Sequence, residues 1–227
     1  MPTPDNATPH NSDNYDRQVR LTIPYYDDIH AEILNFVKVQ YPFPRTWLDT
    51  GCGTGSFVRR AQALFPDTEF FIADPSAGML AKASQTLDGC RYSIVSCCGT
   101  ADLPAITKCR FDVITAIQCH HYLQPEERPA AVRACFSLLN NDGLFVTSEN
   151  IRPFSDEGIA RSLSYWGAFQ RQAGRNESEV SDHLGRFDRE YFPITVTHHL
   201  QCFHDAGFSV AEILWFSYLQ GVFWCRK

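Results

Sequence analysis

The sequence has no run of about 18 apolar residues, so no membrane-spanning helix is expected. It has no Cys-x-x-Cys pair, so zinc-ribbon ligand spacing is missing, and no metal site is expected. It has no basic run longer than Arg59-Arg60, and 20 Lys and Arg stand against 26 Asp and Glu. Phosphate-binding surfaces need clustered positive charge, so a formal charge of −6 argues against large nucleic acids as partners. The first residues, Met1-Pro2-Thr3-Pro4-Asp5-Asn6, lack the basic and apolar regions of a signal peptide. A cytoplasmic location is expected from that.

What is present reads as globular. Of 227 residues, 44% are hydrophobic and 20% charged, enough for a core without metal or disulfide staples. Nine cysteines are many, and most lie in apolar segments such as Ile94-Val95-Ser96-Cys97-Cys98. They read as reduced thiols serving as small core residues, with a redox or metal role for Cys97-Cys98 as the alternative.

Residues 1–14 are polar and rich in Pro and Asn, which predicts a disordered tail. Ile29, Ile33, Leu34, Phe36 and Val37 are spaced for an amphipathic helix, so residues 15–40 form a helical cap. From Arg45 the pattern alternates. Strands are expected at 46–49, 69–74, 91–96, 111–117 and 144–148, with helices at 76–87 and 125–139 between them. Pro125 suits a first helical turn, and Asn141-Asp142-Gly143 reads as a turn. Repeated βα units predict a parallel sheet with helices on both faces. Residues 153–190 break the rhythm and read as a helical insertion over the sheet's ligand edge, with a packing helix pair that makes no substrate contact as the alternative. Two closely spaced final strands, near 209–216 and 219–226, must pair antiparallel. Residues 15–227 thus form a single α/β domain with cap and insertion.

The segment Asp49-Thr50-Gly51-Cys52-Gly53-Thr54-Gly55 joins a strand to a helix. Glycines there let the backbone turn sharply and approach a ligand, and the helix start exposes unpaired N–H groups. The spacing is GxGxG, with Ser56 where a dinucleotide fingerprint would place its third glycine. Asp74 closes the second strand, where two carboxylate oxygens match a vicinal diol.

These features resemble the class I S-adenosylmethionine-dependent methyltransferases, firmly over residues 45–150. Asp49 to Gly55 resembles the first motif of that family, and Ile72-Ala73-Asp74 the second. Cys98-Gly99-Thr100-Ala101-Asp102-Leu103-Pro104 resembles the adenine-binding segment. Phe111 to Gln118 resembles the fourth strand and its end, and Leu138 to Phe145 the turn into strand five. The resemblance implies a Rossmann-like seven-stranded sheet, mostly parallel with an antiparallel final strand. It implies S-adenosyl-L-methionine as cofactor, bound by Asp49, Gly51, Gly53, Gly55, Asp74, Pro75, Met79, Gly99, Thr100, Ala101 and Gln118. Family members often carry an acid where Gly99 stands, so Asp102 or a backbone carbonyl is left for the adenine amino group. Tyr15-Asp16-Arg17 with Ile23-Pro24-Tyr25-Tyr26-Asp27 resembles the cap of small-molecule methyltransferases and of carboxy-S-adenosylmethionine synthases. Tyr26 is the candidate to close over the cofactor, with a core-facing aromatic as the alternative.

Methyl transfer is an in-line displacement that needs alignment, exclusion of water and sometimes a base. In this fold the end of the fourth strand faces the methyl donor, here Gln118-Cys119-His120-His121-Tyr122. His121 is the candidate base, with a structural bond to a backbone carbonyl as the alternative. Glu149, on the ligand edge, could enter the pocket. Tyr165 and Trp166 could line an acceptor pocket, and His198 and His199 could be solvated. Arg186 or Arg189 could bind an acidic acceptor or a carboxylated cofactor, or form surface ion pairs. The leading reading is methyl transfer to an O, N or C nucleophile of a small molecule, by a monomer or homodimer. The alternatives are a carboxy-S-adenosylmethionine synthase-like enzyme and a cofactor-binding protein without catalysis.

Overall fold

Strands and helices alternate from Thr46 onward in the computed structural model, which describes residues 12–227. The tail expected over 1–14 lies, for residues 1–11, outside the described residues. Residues 12–14 form a turn that leads into α1 (Tyr15–Thr22) and α2 (Tyr26–Gln40). The α2 residues Ile29, Ile33, Leu34 and Val37 are buried, as their helical spacing requires.

Then follow β1 (Thr46–Thr50), α3 (Ser56–Leu64), β2 (Glu69–Ala73), α4 (Ala77–Thr86) and β3 (Tyr92–Ser96). Next are α5 (Leu103–Ile106), β4 (Phe111–Ile117), α6 (Arg128–Leu138) and β5 (Leu139–Asn150). The inserted region holds α7 (Asp156–Gln172) and α8 (Glu177–Leu184). The chain ends with α9 (Val196–Ala206), β6 (Val210–Ser217) and β7 (Gln220–Arg226).

One seven-stranded sheet has the order β3-β2-β1-β4-β5-β7-β6. β7 runs antiparallel to β5 and β6, and the other neighbours pair in parallel. This is the mostly parallel sheet with an antiparallel final strand that the sequence predicts. Successive strand residues point to opposite faces, and the two faces build separate cores. Trp47, Val113, Val146 and Val222 join the core beneath α1, α2, α3 and α7. Leu48, Ile114, Phe145 and Phe223 join the core beneath α5, α6 and α9.

Two boundaries differ from the sequence reading. Asn141-Asp142-Gly143 is a bulge inside β5 rather than a turn before it: Phe111 pairs with Leu139, but Val113 pairs with Leu144. Asp142 takes the left-handed φ of 60° that lets the strand absorb the extra residues. The helix expected from Pro125 starts at Arg128, and Pro129 holds its first turn. The cysteine reading holds for three positions. Cys52, Cys135 and Cys225 are buried, whereas Cys97 and Cys109 are exposed, and all nine are free thiols.

Sheet order reverses between β1 and β4, so their following loops part at the carboxyl edge. Ligands of open α/β sheets bind in such a crevice.

Candidate active site

The glycine loop leaves β1 and is tied to β2 at once. The amides of Gly51 and Cys52 both donate to the carbonyl of Ala73, at 2.8 and 3.1 Å. Gly51 has φ +72°, and a Cβ there would stand 2.6 Å from Cys119 Cβ. Only glycine permits this approach between the loop and the end of β4. Gly53 has φ +54°, and a Cβ there would meet open space.

Asp74 is pinned across the crevice. Its Oδ2 accepts from the Gly53 amide at 2.9 Å, and its Oδ1 from the Ser76 amide at 2.8 Å. Ser76 caps α4 by accepting from the Met79 amide. Burial pushes the Asp74 carboxyl above its ordinary range, against the pull of those two amides. Each oxygen keeps a lone pair for a ligand.

A cavity of about 230 Å³ opens here. Of the sequence candidates, Gly51, Gly53, Asp74, Pro75, Met79, Gly99, Thr100 and Gln118 line it. Asp49, Gly55, Ala101 and Tyr26 do not. Asp49 accepts from Thr115 Oγ1 at 2.6 Å, and burial raises its pKa to about 7. Gly55 caps α3 with φ 77°. Ala101 is exposed. Tyr26 packs its ring 4.3 Å from that of His30, on a small cavity behind the loop that Asp49, Gly51, Gly53 and Tyr15 also line. Tyr15 of α1 takes the position over the main cavity instead. Asp102 does approach Gly99: its Oδ2 lies 3.6 Å from where a Cβ would stand.

The segment after β4 separates two histidines. Gln118 has a left-handed φ of 53°, and residues 120–122 form one 3₁₀ turn. Such a turn spaces side chains by a third of a revolution. His120 lines the main cavity, with Nε2 3.0 Å from Thr100 Oγ1. His121 lines a second cavity of about 20 Å³ with Thr22, Asn150, His183 and Tyr191. Tyr15, Gln118 and Tyr122 line both cavities, which are therefore adjacent. Arg128 anchors the turn, donating to the carbonyls of His120 and Phe192 at 3.0 and 2.8 Å.

Between the histidines sits Glu149, 1% exposed. Its Oε2 lies 3.2 Å from His121 Nδ1, and its Oε1 accepts from Thr147 Oγ1 at 2.6 Å. Burial opposes its ionisation, but His121, His120 and Arg128 hold its pKa well below the usual carboxylate range. Burial lowers the pKa of His121 despite Glu149, so its ring is neutral at pH 7. The carboxylate is the strongest acceptor near Nδ1, which we assign the proton, leaving Nε2 able to accept one.

Other sequence candidates are dispersed. Trp166 is fully buried and Tyr165 is 59% exposed, stacked on Tyr218; neither lines the two adjacent cavities. His199 is buried against Phe223 rather than solvated. Arg189 is exposed. Arg186 is largely enclosed, bridged to Glu190 at 2.8 Å, and close enough to Tyr122 and Tyr191 to favour their ionised forms. The sequence reading did not assign His120, Tyr122, Asn150 or Tyr191 to a site. Tyr15 had a signal, the Tyr15-Asp16-Arg17 motif, but the sequence reading gave it no site role.

Among the described residues no helix is long and apolar enough to cross a membrane, and no group of three or more His, Cys, Asp or Glu could hold a metal.

A family model described as a methyltransferase domain matches residues 48–145. A carboxy-S-adenosyl-L-methionine synthase of Helicobacter hepaticus is 22% identical over 205 residues, covering 88% of this chain and 85% of that protein. One of Trichlorobacter lovleyi is 26% identical over 204 residues, covering 87% and 82%. The plantazolicin methyltransferase BamL, in complex with a triazolic desmethylPZN analog and SAH, superposes with TM-score 0.71 at 15% identity, covering 95% and 88%. DesVI of Streptomyces venezuelae superposes with TM-score 0.67 at 18% identity, covering 94% and 97%. Residues 48–145 are therefore similar to a methyltransferase domain, and the chain has the fold of the class I S-adenosylmethionine-dependent methyltransferases.

Proposed function

We propose that the protein transfers a methyl group from S-adenosyl-L-methionine to a small-molecule acceptor. The observation that carries this reading is the pair of adjacent cavities at the sheet's switch point. The larger has the glycine loop and Asp74; the smaller has His121.

The residues present fit the cofactor. Asp74 offers both oxygens to a ribose diol, beside the backbone of Gly53. Gly99 and Thr100 face the adenine side. Gln118, which lines both cavities, stands on the side of the methionine portion. When bound, the cofactor supplies a methyl on a sulfonium, a good leaving group. The chain's own part is to align, to exclude water and to manage a proton. Tyr15 and Tyr122 close the junction between the cavities. His121 Nε2 takes a proton from the acceptor, and Glu149 stabilises the imidazolium that results. The negative charge and the enclosed smaller cavity favour a small acceptor over nucleic acid.

Calorimetric titration with S-adenosylmethionine tests this. One-site micromolar binding is expected, and Asp74→Ala should weaken it by about 1.5–3 kcal/mol, the range for hydrogen bonds to charged groups. Absence of binding overturns the reading.

A second reading is favoured by the relatives, which match 87–88% of the chain and are named carboxy-S-adenosyl-L-methionine synthases. Arg186, beside Tyr122 and Tyr191, is the cation that would meet a carboxylate on the cofactor. Mass spectrometry of the nucleoside extracted from purified protein separates the two readings: an added carboxyl supports the second.

A further inference from the structure

We propose that the smaller cavity receives an amine, entering as its ammonium, as the methyl acceptor. This rests on the methyl transfer proposed above and names its acceptor class.

Three buried polar atoms on residues lining this cavity have no hydrogen-bond partner among the described residues. They are Gln118 Oε1, Asn150 Oδ1 and Tyr191 Oη. Gln118, Asn150 and Tyr191 are 7%, 5% and 2% exposed. Buried polar groups are nearly always paired, so three at one small cavity point to a missing partner. Two of the three are carbonyl oxygens, which only accept. The phenol can accept as well. The missing partner must therefore bring several hydrogens.

Charge narrows the choice. Glu149, ionised, stands directly behind His121 at 3.2 Å. No Lys or Arg lines the cavity. Arg186, which faces Tyr122 and Tyr191 from outside the lining, is already bridged to Glu190. A carboxylate would set lone pairs against carbonyl oxygens, and the nearest cation, Arg186, is held by Glu190. A hydroxyl brings one hydrogen for three acceptors. An ammonium brings three and carries the matching charge. The cavity, about 20 Å³, has room for one group of water's size, which an ammonium is.

The chemistry balances. His121 Nε2 takes one proton from the ammonium, giving a neutral amine and an imidazolium paired with Glu149. The amine lone pair forms the N–C bond to the methyl carbon. The C–S bond breaks with its electron pair going to sulfur. The product is a methylated ammonium and a neutral thioether, and the imidazolium returns its proton to solvent.

The test uses three probes of matched alkyl length: propylamine, propan-1-ol and propionate. Each is titrated calorimetrically into the full chain saturated with S-adenosylhomocysteine. Propylamine is expected to bind at least about tenfold tighter than propan-1-ol, and propionate not at all. Asn150→Leu and Tyr191→Phe should each weaken propylamine by about fivefold or more, with S-adenosylhomocysteine affinity unchanged. Asn150→Asp should retain propylamine. With S-adenosylmethionine present, N-methylpropylamine should appear by mass spectrometry. Preferred binding of propionate or propan-1-ol, or binding of none of the three, overturns the amine assignment while the cofactor reading stands. Failure to bind S-adenosylhomocysteine overturns both.

Discussion

At the scale of single residues, the glycines of the loop divide by what surrounds them. Gly51 is confined by Cys119 at 2.6 Å, whereas Gly53 faces open space. Both have left-handed φ, which costs an alanine about 1–2 kcal/mol. Gly51→Ala adds overpacking, about 1–3 kcal/mol, so its loss should total about 2–5 kcal/mol. Gly53→Ala should cost only the first amount, while its methyl intrudes on the cofactor cavity. Urea unfolding should thus rank Gly51→Ala as the more damaging to stability. Titration with S-adenosylmethionine should show Gly53→Ala binding weakly in a folded protein. This loop was legible because its constraints are local: three glycines and two carboxylates at set spacings. The histidine pair was not. His120 and His121 are adjacent, and which one meets which cavity depends on the 3₁₀ turn, a detail no periodicity records. Tyr15 and Tyr26 pose the same problem over a longer reach. Each is an aromatic near a cap helix start, and only the packing of α1 against the sheet edge puts Tyr15 on the cavity.

At the scale of elements, the insertion helix α7 is joined to the cap by one side chain. Trp166 is fully buried, and its Nε1 donates to the Thr22 carbonyl at the end of α1, at 2.6 Å. Its ring also meets His183 of α8, centroids 4.8 Å apart, and Tyr191 at 6.4 Å. Arg175 bridges the same region, reaching Thr22 Oγ1 and the Gln170 carbonyl oxygen. Trp166→Ala should therefore cost about 3–5 kcal/mol, the range for removing a large buried aromatic. The loss should be uneven. Hydrogen exchange should quicken in α1, α7 and α8 before it does in β1 or β4, because those strands keep their own cores. Equal quickening throughout would contradict this coupling. The sequence showed the insertion as a break in βα rhythm, and it showed Trp166 as an aromatic there. It did not show the direction of the side chain. A helix with polar residues on several sides leaves its inner face undecided, and the contact with Thr22 spans 144 residues. Strands were easier, since a run such as Phe111–Ile117 is apolar on both faces and belongs in the middle of a covered sheet.

At the scale of the whole molecule, the distribution of buried histidines sets how the fold responds to acid. Four of the described histidines are at most 3% exposed: His30, His120, His121 and His199. Burial lowers their pKa values, to about 3 for His30 and His199, to about 4 for His120, and downward for His121. Their unfolded value is near 6.5. Below it the unfolded chain binds protons that the folded chain refuses, so each histidine withdraws stability as the pH falls toward its folded value. Asp49 and Asp74 act in the opposite sense over part of this range. Their pKa values are raised by burial, to about 7 for Asp49, so the folded chain holds protons there that the unfolded chain has released. Glu149, with its lowered pKa, adds to the loss only below the ordinary carboxylate range. Four groups lose against two that gain, so stability should decline between about pH 6.5 and pH 4.5. Urea midpoints at about pH 5 should fall below those at about pH 7.5. His199→Phe isolates one contributor away from both cavities. His199 stacks on Phe223 with ring centroids 4.8 Å apart, and its Nε2 has no partner among the described residues. Phenylalanine keeps the stack and removes the proton site. The gap between the two midpoints should narrow in that variant, while S-adenosylmethionine affinity stays as in the parent. An unchanged gap would place the acid sensitivity elsewhere, in His30 or in the His120–Glu149–His121 cluster.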